Sequence, residues 1–138
     1  MAKANPDVLV VGAGPTGLTM ACELVRHGLS CRVIDELAAP VVWSKAAVVY
    51  ARPMEIFDDM GVVGPFLQHS KPVHGASVYS EGKRIAHVTL EGIDSPYPGV
   101  YGISQRETEA LLTAHLAGLG VAVERKKRLE TLTRRQRG

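Results

Sequence analysis

The sequence predicts an α/β fold. It opens with a strand–helix–strand unit of parallel strands, carries an inserted β-hairpin, and continues into a second long helix and another strand. Three observations predict it. The run "DVLVV" (Asp7 to Val11) ends on a glycine-rich turn, as a short buried strand does. Helical spacing follows at once and leads to a second strand-like run, "CRVID" (Cys31 to Asp35). A capped helical pattern then recurs from Ser104 to Gly120.

Each element has a local reason. Thr16 to His27 is a helix because Leu18, Ala21, Cys22 and Val25 recur at helical spacing, and Gly28 is placed to end it. So short a link between two strands favours a right-handed parallel crossover. Glu36 to Pro53 has Pro40 and Pro53 near its ends and no clean period. Met54 to Met60 reads as a short helix stopped by Gly61. His74 to Leu90 reads as a hairpin turning near Glu81-Gly82-Lys83. Gly92 to Gly99 is a loop by composition. Ser104 and Glu107 form an S-x-x-E capping box. Behind it, Leu111, Leu112, His115, Leu116 and Leu119 share a face, His115 as a packed residue rather than a ligand. Gly120 stops this helix, and Val121 to Lys126 is the next strand.

Totals narrow the function. A chain of 138 residues predicts one domain, and one large enough to bury a real core. No apolar run approaches the roughly 18 residues of a membrane helix. The start "MAKANPD" shows no secretory signal. Cys22 and Cys31 match no metal or redox spacing and are expected to be reduced. No metal site is expected, and the reading is a soluble cytoplasmic protein. The net charge of +2 hides an asymmetry: residues 124–138 carry seven basic and two acidic side chains. No aromatics interleave them to stack on bases. The tail therefore reads as a solvated strand and a frayed end, not as a nucleic-acid surface.

Gly12, Gly14 and Gly17 make G-x-G-x-x-G, placed after a strand and at the head of a helix. That context is the Rossmann-like dinucleotide fingerprint. Gly12 permits the tight turn, Gly14 lets backbone approach a pyrophosphate, and Gly17 lets helix and strand pack closely. The helix start offers unpaired N–H groups and a partial positive charge to the phosphates. Asp35 lies 18 residues past Gly17 and would accept from a ribose hydroxyl. Glu36 adds negative charge, which argues against an adenosine 2′-phosphate. Spacing alone leaves NAD and FAD both open.

"DVLVVGAGPTGLTMACELVRHGLSCRVID" resembles the amino-terminal segment of the FAD-dependent aromatic hydroxylases, the single-component flavoprotein monooxygenases that include p-hydroxybenzoate and phenol hydroxylases. "SKAAVVYARPMEIFDDMGV" and "GISQRETEALLTAHLAGLGVAVE" are similar to two further blocks of that family, in the same order. The resemblance implies FAD as cofactor, with Gly12, Gly14, Pro15, Thr16 and Gly17 along its pyrophosphate and Asp35, with Glu36 beside it, at the adenosine ribose. It implies Arg52 near the flavin, where the alternative is an exposed charge before Pro53. It implies Gln105 at a cofactor-contacting helix start, where the alternative is an exposed first-turn residue. The family usually has arginine where Lys45 stands. Lysine keeps the charge for a phosphate but lacks the fork that positions the isoalloxazine ring.

The resemblance further implies that NAD(P)H reduces the flavin and that dioxygen supplies one atom to a phenol-like aromatic ring. Tyr50, Tyr97, Tyr101 and the histidines match no family motif, so no catalytic residue is assigned. The family's later Asp-Gly and Gly-Asp fingerprints do not occur here, and neither does its substrate-binding sheet. Residues 1–138 are therefore expected to be the amino-terminal part of an FAD-binding domain, incomplete, inactive alone, and prone to self-association through exposed sheet surface. The alternatives are a non-catalytic adenine-dinucleotide-binding module, and a related flavoprotein reductase or ubiquinone-pathway hydroxylase.

Overall fold

The computed structural model describes residues 5–40, 48–90 and 92–133. In chain order the elements are β1 (Val8–Val11), α1 (Pro15–Arg26), β2 (Cys31–Asp35), β3 (Val48–Tyr50), α2 (Ala51–Asp59), α3 (Val63–His69), β4 (Lys71–Val73), β5 (Gly75–Ser80), β6 (Lys83–Thr89), β7 (Val100–Gly102), α4 (Gln105–Gly118) and β8 (Val123–Arg125). They fall into two compact units, residues 1–41 with 112–138, and residues 42–111.

The first unit is the predicted strand–helix–strand element with one strand added. β1 pairs parallel with β2 in the register Val8 to Cys31, and β2 pairs parallel with β8. Helix α1 lies on this sheet and buries Leu18, Ala21 and Cys22 beside Val10 and Val33. Leu112 and Leu116 complete the core. Both predicted stops hold. Gly28 and Leu29 donate back to Val25 and Leu24, and Gly120 and Val121 to Ala117 and Leu116, the paired bonds of a Schellman ending.

One expectation needs correction here. β1 is not buried on both faces: Val10 is buried, while Leu9 and Val11 are 41% and 54% exposed. An all-apolar run does not reveal that α1 covers one face only. Leu119 is likewise exposed, past the last packed turn of α4.

The second unit has a three-stranded antiparallel sheet in the order β3-β7-β4 and the separate hairpin β5–β6. Its core is Met54, Phe57 and Phe66, with the two rings stacked at 4.1 Å between centroids. α2 starts at Ala51, three residues before the expected Met54. Pro53 lies inside its first turn, where the missing N–H has no intrahelical partner to lose. The hairpin is as expected. Glu81 and Gly82 both take positive φ, +46° and +76°, as a two-residue turn between twisted strands requires. At the α4 start, the Glu107 N–H donates to Ser104 Oγ at 3.1 Å, and the Glu107 carboxylate accepts from that same hydroxyl at 3.0 Å. β3, β4, β7 and α3 had no sequence signal. The strands are three residues long, and their pairing is between distant segments.

Candidate functional site: a glycine turn braced by one carboxylate

The turn between β1 and α1 is built from main chain. Gly12 has φ +101° and donates its N–H to Ile34 O at 2.8 Å, so the turn stays joined to the end of β2. A side chain is disfavoured at that φ. A Cβ on Gly17 would collide with the Gly12 carbonyl oxygen. These two glycines are therefore demanded by the fold itself.

Gly14 differs. It caps α1 with φ −78° and ψ 179°, extended backbone open to any residue, and its carbonyl accepts from Leu18 N–H at 2.9 Å. No side chain caps the helix, and no acid lies in its first turn. Pro15 has no N–H to offer. The N–H groups of Thr16 and Gly17 lie within the first turn, where the helix supplies no acceptor. The end of the helix is thus a cluster of donors at the positive pole of a dipole.

Asp35 braces this turn. Its side chain is 12% exposed. Oδ2 accepts from Ala13 N–H at 2.7 Å, and Oδ1 accepts from Leu37 N–H at 2.8 Å. Arg125 approaches Oδ1 at 3.5 Å. The Asp35 carbonyl accepts from Lys127 N–H at 2.9 Å. One residue thereby joins the glycine turn, the end of β2 and the chain beyond β8. Each carboxylate oxygen has a second lone pair, so a ribose hydroxyl could share an oxygen with these bonds.

A cleft of about 360 Å³ opens here. It is lined by Val11 and Gly12 of the glycine turn, by Asp35, Glu36 and Leu37 at the end of β2, and by Lys127, Arg128 and Leu129 beyond β8. The last three residues were not expected. The basic segment after β8 reads in sequence as solvated and frayed, but its head is folded back over the sheet end. Lys126 makes the bend with φ +58°, a conformation that lysine does not advertise. Glu36 is 63% exposed and lies 3.8 Å from Arg128 Nε. With Arg125, Lys127 and Arg128 around Asp35 and Glu36, the negative charge expected at this end of the site is balanced.

The remaining expected site residues are placed elsewhere. Arg52 and Gln105 belong to the second unit. Arg52 is 75% exposed and pairs with Glu55 at 2.7 Å, which raises its own pKa and lowers that of Glu55. Gln105 Nε2 donates to buried Glu109 at 2.8 Å. Lys45 lies outside the described residues. Among the described residues no cluster of His, Cys, Asp or Glu could hold a metal ion, and no helix is long and apolar enough to cross a membrane.

A parallel strand–helix–strand unit, a glycine turn at an open helix start and an acid closing β2 together define a dinucleotide-binding fold. Comparison with known proteins makes the class specific. Residues 5–138 match the family described as "FAD binding domain", and the chain belongs to that family. It is 36% identical over 122 residues to 6-methylpretetramide 4-monooxygenase of Streptomyces rimosus, covering 87% of this chain and 22% of that protein. It is 34% identical over 111 residues to pentachlorophenol 4-monooxygenase of Sphingobium chlorophenolicum, covering 80% of this chain and 21% of that one. Among solved structures it is similar to the OxyS anhydrotetracycline hydroxylase from Streptomyces rimosus, at 36% identity and a TM-score of 0.75, covering 88% of this chain and 24% of that one. The flavin-dependent monooxygenase PieE, solved with FAD and substrate, gives 25% identity and a TM-score of 0.73 over the same shares. The resemblance to flavoprotein monooxygenases read in the sequence is borne out, and the chain spans about a fifth to a quarter of these relatives' length.

Proposed function

We propose that this chain forms the adenosine and pyrophosphate end of an FAD site in an aromatic monooxygenase. The observation that carries this reading is the Asp35 bond to Ala13 N–H, which fixes the glycine turn beneath the uncapped start of α1. The fit is physical. Gly12 and Gly17 are needed by the fold; the φ of Gly14 does not itself demand glycine, and close approach of a ligand is one reason for glycine there. The pyrophosphate lies against Gly14 to Gly17, and Asp35 shares an oxygen with the ribose. Lys45, Arg52 and Gln105 serve the flavin half. Bound FAD supplies the redox chemistry that, with NAD(P)H and dioxygen, hydroxylates a phenol-like ring. The residues of this chain bind and orient the cofactor; residues 1–138 form the amino-terminal part of the FAD-binding domain and are inactive as an isolated piece. The same reading puts the protein in the cytoplasm, where the free thiols of Cys22 and Cys31 stay reduced. It also has exposed sheet surface, Leu9 of β1 included, associate with a second copy.

The second reading is a non-catalytic adenine-nucleotide module. It is favoured by one observation: the cleft is lined wholly by residues of the first unit. The two readings separate by calorimetric titration with ADP, FAD and NADH. FAD bound more tightly than ADP supports the flavin reading; equal affinities support the module. Gly14→Val tests both. Its extended φ and ψ are open to valine, a urea melt checks that the fold is retained, and ADP and FAD affinities fall roughly tenfold to a hundredfold. A folded Gly14→Val protein that binds both as well as the parent would overturn the site.

A further inference from the structure

We infer that Arg128 is the residue that stacks on the purine ring in this cleft, with Glu36 beside it to orient it. The inference rests on the nucleotide reading above and adds a base-recognising side chain to it. An adenine base presents a flat aromatic face on which a planar side chain can stack. Among the described residues no aromatic side chain lines the cleft. The lining includes the aliphatic Leu37 and Leu129, and the planar cationic group among the lining side chains is the Arg128 guanidinium. Guanidinium planes stack on aromatic faces, which lysine cannot do.

The structure also places Arg128 firmly at its root. Lys127 N–H donates to Asp35 O at 2.9 Å, and Lys126 N–H reaches Leu37 O at 3.4 Å. The left-handed bend at Lys126 turns the chain so that residues 127 to 129 line the cleft instead of extending past β8. The side chain itself is 76% exposed, with Nε 3.8 Å from Glu36 Oε2. An exposed pair so far apart adds little to stability, and it leaves the guanidinium face free to meet a ligand. Glu36 thus acts as a positioning residue, while Arg128 makes the contact.

The test is titration of the 138-residue protein with ADP and with UDP, which share the ribose diphosphate and differ in base. The parent binds ADP more tightly than UDP. Arg128→Ala lowers ADP affinity about tenfold and leaves UDP within about twofold. Arg128→Lys behaves like Arg128→Ala, because charge without a plane does not stack. Glu36→Gln loses about twofold for ADP only. Restoration of ADP binding by Arg128→Lys, or an equal fall for UDP, would assign Arg128 to the phosphates and overturn the inference. Parent-like ADP binding by Arg128→Ala would do the same while leaving the nucleotide site standing. A folded parent that binds neither ADP nor FAD sinks the nucleotide reading, and this inference with it.

Discussion

In the first unit the candidate site is main chain braced by one carboxylate, whereas in the second unit Arg52 and Gln105 are each held by an acid of their own helix. Asp35 accepts from two backbone N–H groups that lie in different segments. Arg52 pairs with Glu55 three residues away, and Gln105 with Glu109 four residues away. The difference is one of reach. A bond from Asp35 to Ala13 spans 22 residues and fixes the geometry of a turn; a bond along one helix fixes only a rotamer. Sites made of backbone are specified by where side chains must be absent, and sites made of side chains by neighbours that local sequence does not reveal.

The sharpest way to break this comparison is Gly17→Val. Its Cβ has no room beside the Gly12 carbonyl, and rigid backbone cannot give way as a flexible side chain does. The expected loss is about 3 kcal/mol, at the upper end of overpacking effects, read as a lower urea midpoint with an unchanged slope. A parent-like midpoint would mean that the turn relaxes freely and that its glycines are not a fold requirement.

Asp35→Asn is next in size. The amide keeps one acceptor oxygen but turns its other end into a donor, facing either the Ala13 or the Leu37 N–H. Leaving a shielded donor unpaired costs about 1–3 kcal/mol. Stability should fall by that amount in urea unfolding, and ADP affinity should fall with it. Loss of ADP binding at unchanged stability would mean that Asp35 serves the ligand and does not brace the turn.

Much of the first unit was legible because its signals are local. "VLVVGAGPTG" gives strand, turn and helix start from steric demands on two of its glycines and from one proline. "CRVID" gives the second strand to the residue, and the hairpin turn follows from Glu81-Gly82. The part of the cleft beyond β8 was not legible. Its position depends on a left-handed lysine and on main-chain bonds from residues 126 and 127 back to residues 37 and 35. A run of lysines and arginines looks the same whether it frays or folds over a sheet end. The β3-β7-β4 sheet was illegible for a related reason: three-residue strands show no period, and their partners lie far away in sequence.

The smallest effect concerns the pair that ties two strands of the first unit. Arg32 on β2 donates to Glu124 on β8 through Nε at 2.6 Å and Nη2 at 2.7 Å. This fork and the charge behind it hold the Glu124 carboxyl below its ordinary value near 4.5. A carboxylate whose pKa is depressed by folding adds stability above its unfolded pKa and loses it as pH falls through the folded one. Above pH 4.5, Glu124→Gln should therefore melt slightly below the parent. The gap should be small, because the two side chains are 49% and 39% exposed to solvent, and it should shrink with salt. As the pH falls below 4.5 the parent's advantage should fade, until the two melting temperatures meet. A gap that widens on acidification would mean that Glu124 is better accommodated protonated, and that β8 is held to β2 by its backbone ladder alone.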